Sequence, residues 1–158
     1  MLVVVADTSP LNYLVLIGAI EVLPRLFDKI LVPTQVLDER RHSDAPQIVQ
    51  AWVETRPDWL HVQTIDPGED AKQLDEGERA AIALAQSQSA DLMIMDDRPA
   101  VAAARMSGLE VIGTIGVLDL AARKGLIDLK LAFARLKQTN FRYPPGLLDN
   151  LTTLRREG

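Results

Sequence analysis

Apolar positions along this chain follow two rhythms. Short unbroken runs at residues 2–5, 30–32 and 92–95 show no polar alternation, the mark of parallel strands buried on both faces. Between them, longer stretches repeat apolar residues at helical spacing. "DTSP" at 7–10 reads as a strand end followed by a helix start, with Ser9 as N-cap and Pro10 at the first helical position. That helix carries Leu11, Leu14, Val15 and Ile17 and stops near Gly18. Residues 20–27 continue helically, Pro33 and Thr34 open a helix holding Val36 and Leu37 and ending near Arg41, and a further helix covers 46–55 before Pro57. Residues 61–65 make a candidate strand. "LDEGERAAIALAQSQ" is a strong helix, followed by strand 92–95, helix 98–107 and strand 109–112. Three helical segments finish the chain, with breaks at 125–128 and 143–145. Strands alternating with helices imply a three-layer α/β/α fold around a central parallel sheet. The stretch "DPGEDAKQ" at 66–73 is linker-like but too short to divide domains, so residues 1–158 are expected to form a single domain.

Composition narrows the class. At 158 residues and 47% hydrophobic content, the chain can bury a core and is not of the disordered type. The absence of cysteine excludes disulfides and thiolate metal sites. The opening "MLVVVADTSP" lacks the basic region of a signal peptide, and no apolar run approaches the roughly 18 residues of a membrane span. A cytoplasmic, soluble domain is the expectation. The net charge of −5 is unevenly spread: residues 1–122 carry −10 and residues 123–158 carry +5. Arg123, Lys124, Lys130, Arg135, Lys137, Arg142, Arg155 and Arg156 form that basic end, which is either a polyanion footprint or a set of solvated helix faces. The apolar stretches 11–20 and 115–120 exceed one amphipathic stripe, from which a homodimer is expected.

The acids carry the chemistry. Function in parallel α/β sheets gathers beyond the carboxyl ends of the strands. Asp7 follows strand 2–5 and Asp96 follows strand 92–95, so both project from one sheet edge. Glu39 and Glu78 can reach the same edge from their helices. A like-charged pair at about 4 Å costs roughly 4 kcal/mol at an effective dielectric near 20, so such a cluster takes up protons or holds a cation. All-oxygen ligation suits Mg²⁺ or Mn²⁺. Each acid also has a plainer role open to it: Asp7 in an Asx-turn, Glu78 in a capping box with Asp75, Glu39 as a surface acid, Asp97 as a helix cap. Phosphate-cradling glycine motifs are missing, and the two histidines, His42 and His61, lie away from the strand ends. Metal-assisted phosphodiester hydrolysis fits these residues best.

Four segments, "VVVADTSPLNYLVLIGAIEVLPRLF", "ILVPTQVLDE", "LDEGERAAIALA" and "LMIMDDRPAVAAARMSGLEVIGTIGVLDLAARKGLI", together resemble PIN-domain proteins, in particular the branch with a G-T-x-G segment, here 113–116. The likeness covers about residues 2–140, leaving 141–158 as a helical extension. The resemblance implies a Mg²⁺- or Mn²⁺-dependent ribonuclease site with Asp7, Glu39, Glu78 and Asp96 as catalytic metal ligands. Asp97 would support Asp96, and Thr8 or Ser9 would supply nearby hydroxyls. It also implies RNA as substrate, and, as in many relatives, a toxin role with a small antitoxin partner. Arg98 and Arg105, seven apart on one helix face, are the expected RNA-binding cations.

Overall fold

A computed structural model describes residues 1–41, 45–69 and 71–157, with the side chains of residues 40, 41 and 155–157 excepted. His42 and the side chains of Arg155 and Arg156 thus lie outside the described residues. Five strands, β1 (Val3–Ala6), β2 (Lys29–Pro33), β3 (Leu60–Gln63), β4 (Leu92–Ile94) and β5 (Val111–Ile112), form one sheet in the order β3-β2-β1-β4-β5. Every pairing is parallel.

The unbroken apolar runs are explained by burial on both faces. Val4, Ala6, Ile30, Val32 and Ile94 point into one cluster, while Val5, Leu31, Met93 and Met95 point into the other. The first cluster is closed by α1 (Thr8–Leu16), α2 (Val22–Leu26), α3 (Thr34–Arg41), α4 (Gln47–Glu54), α7 (Thr114–Arg123), α8 (Leu129–Lys137) and α9 (Leu147–Glu157). The second is closed by α5 (Glu76–Ser87) and α6 (Arg98–Met106), whose alanines allow close approach to the sheet. The fold is therefore a three-layer α/β/α sandwich. Among the described residues, no helix is long and apolar enough to cross a membrane.

One expectation changes, and the ground for a second narrows. Helix α1 starts earlier than predicted, with Asp7 rather than Ser9 as N-cap, and Pro10 falls third in the helix. Proline is tolerated there because the first amides of a helix have no intrahelical acceptor to lose. The apolar stretches 11–20 and 115–120 are covered within the chain: Leu11, Leu14, Ile17, Val117 and Leu118 are buried in the core shared with Phe133, Leu136 and Leu148 of the last two helices. Much of the apolar surface from which a homodimer was expected is thus used within the chain, by α3, α4 and α7 against α1 and by α8 and α9 against α7.

Position follows from topology. Strand β1 pairs with β2 on one side and β4 on the other, so the chain reverses its winding direction at β1. The Asp7 amide donates to the Ile94 carbonyl at 2.9 Å, tying the ends of β1 and β4 together. Open α/β sheets place their ligand crevice beside such a reversal, beyond the carboxyl ends of the strands.

Candidate active site

A cavity of about 1080 Å³ opens at that crevice, lined by Asp7, Glu39, Asp75, Glu78, Asp96 and Asp97 together with Thr8, Ser9 and Arg98. The four acids expected to cluster, and the two hydroxyls expected beside them, share this one cavity. Asp7 is the deepest at 3% exposure, and among the described residues no hydrogen-bond donor meets its buried Oδ1. Burial pushes its carboxyl from an ordinary 3.8 up to about 8. The neighbouring Thr8 amide opposes that rise, and the charges of Glu78, Asp75 and Glu39 add to it.

The other carboxylates are held by the chain. Thr8 Oγ1 donates to Glu39 Oε2 at 2.7 Å. Asp96 accepts from the Thr114 amide at 2.8 Å, the Thr114 hydroxyl at 2.7 Å and Ser9 Oγ at 3.2 Å. Thr114 is fully buried, which explains the threonine of the G-T-x-G segment. Its first glycine is explained by space, since a Cβ at Gly113 would lie 2.7 Å from Asp96 Oδ1. The second packs on Ile112, whose Cβ would be 3.2 Å from a Cβ at Gly116. Gly77 has the same meaning: a Cβ there would collide with the carboxylate of Glu39.

Glu78 does two jobs. Its amide donates to Asp75 Oδ1 at 2.7 Å and its Oε1 accepts from the Asp75 amide at 3.2 Å, closing a capping box while the residue lines the cavity. Burial pushes its carboxyl from 4.5 up to about 7; the Asp75 amide opposes this, while the charges of Asp75 and Asp97 and a hydrogen bond with Asp97 reinforce it. Asp97 also caps α6, accepting from the Ala100 amide at 3.4 Å. Glu76 is exposed and does not line the cavity.

Hard oxygen donors around an orphaned, buried Asp7 oxygen suit a small divalent cation. Among the described residues, however, no three acidic or histidine side chains close up into a set that could hold one ion as they stand. Glu39, Glu78 and Asp96 are each engaged by donors of the chain instead.

The expected cations divide. Arg98 borders the main cavity and also an adjoining groove of about 390 Å³ that contains Arg105 and Asp96. Both arginines are exposed, so the two face one surface. Of the basic end, Arg142 lines the main cavity. Arg123 pairs with Asp119 within α7, Lys137 of α8 pairs with Asp149 of α9, and Arg135 reaches the Ile17 carbonyl at 3.3 Å, so these contacts lie away from the cavity. Asn12, Tyr13, Asn140, Phe141 and Tyr143 also line the cavity, and no pattern in the sequence pointed to them as site residues. Both tyrosines of the chain lie in this group.

A parallel α/β/α domain with a carboxylate-lined cavity at its switch point has its candidate site where open α/β sheets bind ligands. The chain belongs to the PIN-domain family, whose model matches residues 3–157 and so runs through the C-terminal helices. No curated protein and no solved structure matches the chain.

Proposed function

We propose that this protein is a divalent-cation-dependent endoribonuclease, acting as the toxin of a toxin–antitoxin pair. The observation that carries the nuclease reading is the convergence of Asp7, Glu39, Glu78 and Asp96 on one cavity, with the Asp7 Oδ1 buried and unpartnered. The toxin role and its small antitoxin partner rest on the family resemblance. Asp7, Glu39, Glu78 and Asp96, supported by Asp97, would hold Mg²⁺ or Mn²⁺, which when bound supplies phosphate charge neutralisation and an activated water. Thr8 aims Glu39, while Ser9 and Thr114 aim Asp96. Asp7 and Glu78, with carboxyls raised to about 8 and about 7, hold protons near neutrality that deprotonation must remove before they can act as ligands. Arg98 and Arg105 offer positive charge to phosphates flanking the cut.

The engagement of Glu39 and Asp96 by chain hydroxyls favours one competing reading, a binding module that keeps the fold without cutting. Incubating purified protein with RNA in Mg²⁺ or Mn²⁺ decides between them. Cleavage that a chelator stops supports the enzyme, and intact RNA under both cations rejects it. Growth arrest on expression, relieved by Asp7→Asn, would support the toxin role; unimpeded growth would count against it.

Two variants probe how the site is built. Gly77→Ala should leave stability within about 1 kcal/mol, because alanine's helix preference offsets displacement of a flexible carboxylate. Cleavage should nevertheless fall at least about 10-fold as Glu39 is pushed from Thr8. Full activity in Gly77→Ala would show that Glu39 is dispensable. Arg98→Glu with Arg105→Glu should weaken RNA binding and reduce its salt dependence by up to about two counterions. An unchanged salt slope would place the phosphate track elsewhere.

A further inference from the structure

The cavity has a second wall that the carboxylates do not explain. Segment 140–145 crosses from α8 to α9, and Asn140, Phe141, Arg142, Tyr143, Pro144 and Pro145 all line the space. Tyr13 of α1 joins them, packing edge-on against Phe141 with ring centroids 4.9 Å apart. Phe141 and Tyr143 are nearly parallel, at 17° and 6.5 Å between centroids. The wall is pinned at its start: Tyr13 Oη donates to Asn140 Oδ1 at 2.7 Å, and the Phe141 amide donates to Thr139 Oγ1 at 3.1 Å.

Aromatic residues make up only 4% of the chain, yet both tyrosines and one of three phenylalanines meet here. Sealing the core is part of their work, since all three pack against the buried cluster. Sealing alone does not need three half-buried rings beside an acidic cavity. Nor does a hydrated cation need about 1080 Å³, a volume just above the roughly 300–1000 Å³ typical of ligand clefts. Arg142 and Arg98 add positive charge at the edge of the same space. Rings that offer π-faces, cations for the backbone and hard acids for the reacting phosphate make up the recognition chemistry of an unpaired nucleotide.

We propose that Tyr13, Phe141 and Tyr143 form a base-stacking wall that holds the unpaired bases of the strand being cut. This deepens the ribonuclease reading and rests on it. Stacking tolerates any base, so the wall selects unpaired structure ahead of sequence.

The test measures binding and cleavage separately, on the full chain with Mn²⁺ present. A short unstructured 2′-O-methyl oligonucleotide, resistant to cleavage, is compared with its abasic counterpart and with the same strand in a duplex. The intact strand should bind roughly 5- to 150-fold more tightly than the abasic one, and more tightly than the duplex. Tyr143→Leu should bring the intact strand down toward the abasic level while leaving the abasic strand unchanged; Tyr143→Phe, which keeps the ring, should retain affinity. A 2-aminopurine in the strand should lose fluorescence on binding to wild type. Equal affinity for intact and abasic strands, or a duplex bound as well as a single strand, overturns the wall. That comparison uses wild-type protein, so it stands even where Tyr143→Leu fails to fold. Base-dependent binding without cleavage of unmodified RNA would retain the wall and reject the nuclease. Cleavage with base-independent binding would do the reverse. Failure to bind any oligonucleotide, as a cavity built for a peptide would show, overturns both.

Discussion

Replacing Asp7 by asparagine is expected to abolish cleavage and, in the same protein, to raise stability at alkaline pH. Loss of a buried ligand oxygen should lower activity at least about 100-fold. The stability gain follows from linkage. In metal-free protein the Asp7 carboxyl titrates at about 8, against 3.8 for an ordinary aspartate. The folded state therefore holds a proton that the unfolded chain has already released. Its contribution to stability is fully present below about pH 4, declines as pH rises, and is gone above about pH 8. The slope in between is at most about 1.4 kcal/mol per pH unit, which integrates to several kcal/mol. Asparagine keeps the shape of the protonated acid without the titration. Urea unfolding of chelator-treated protein should give similar midpoints for the two proteins near pH 4 and a clear advantage for Asp7→Asn near pH 9. Parallel pH profiles would mean that Asp7 is not the group that destabilises the fold.

The second large effect is expected from the cation. Mg²⁺ or Mn²⁺ should raise the thermal midpoint, by about 2.7 kcal/mol at one hundred times the dissociation constant. For a domain of this size that corresponds to roughly 5–10 °C. Binding must expel the protons held by Asp7 and Glu78, so apparent affinity should fall as pH drops below about 8, and more steeply below about 7. Calorimetric titrations in buffers of different ionisation enthalpy would register the released protons. A midpoint insensitive to either cation, or an affinity independent of pH from 6 to 8 (a window set by the two carboxyls), would count against this ligand set.

What could be read from the sequence was whatever short-range pattern controls. Continuous apolar runs located β1, β2 and β4 because a strand buried on both faces leaves no polar alternation. The acids at strand ends followed from parallel topology alone, and the Asp75–Glu78 spacing showed the capping box. Contacts between distant positions were not legible. Nothing local to "ADTS" reveals that Ser9 spends its hydroxyl on Asp96, leaving Asp7 to start the helix. Gly77 has no visible reason in the sequence until Glu39, far off along the chain, is seen against it. The aromatic wall was hidden for the same reason: Tyr13 and Asn140 meet only because the chain end of α8, where Arg135 reaches the Ile17 carbonyl, returns to α1.

The double employment of Glu78 has a mechanical consequence. Its Oε1 holds the Asp75 amide and so fastens the first turn of α5, while the same residue borders the cavity. A ligand that drew this carboxylate inward would release one half of the capping box, while the Glu78 amide would keep its 2.7 Å bond to Asp75 Oδ1. Cation ligation by Glu78 would therefore cost part of a helix cap, so the first turn of α5 and the occupancy of the cavity would be thermodynamically linked.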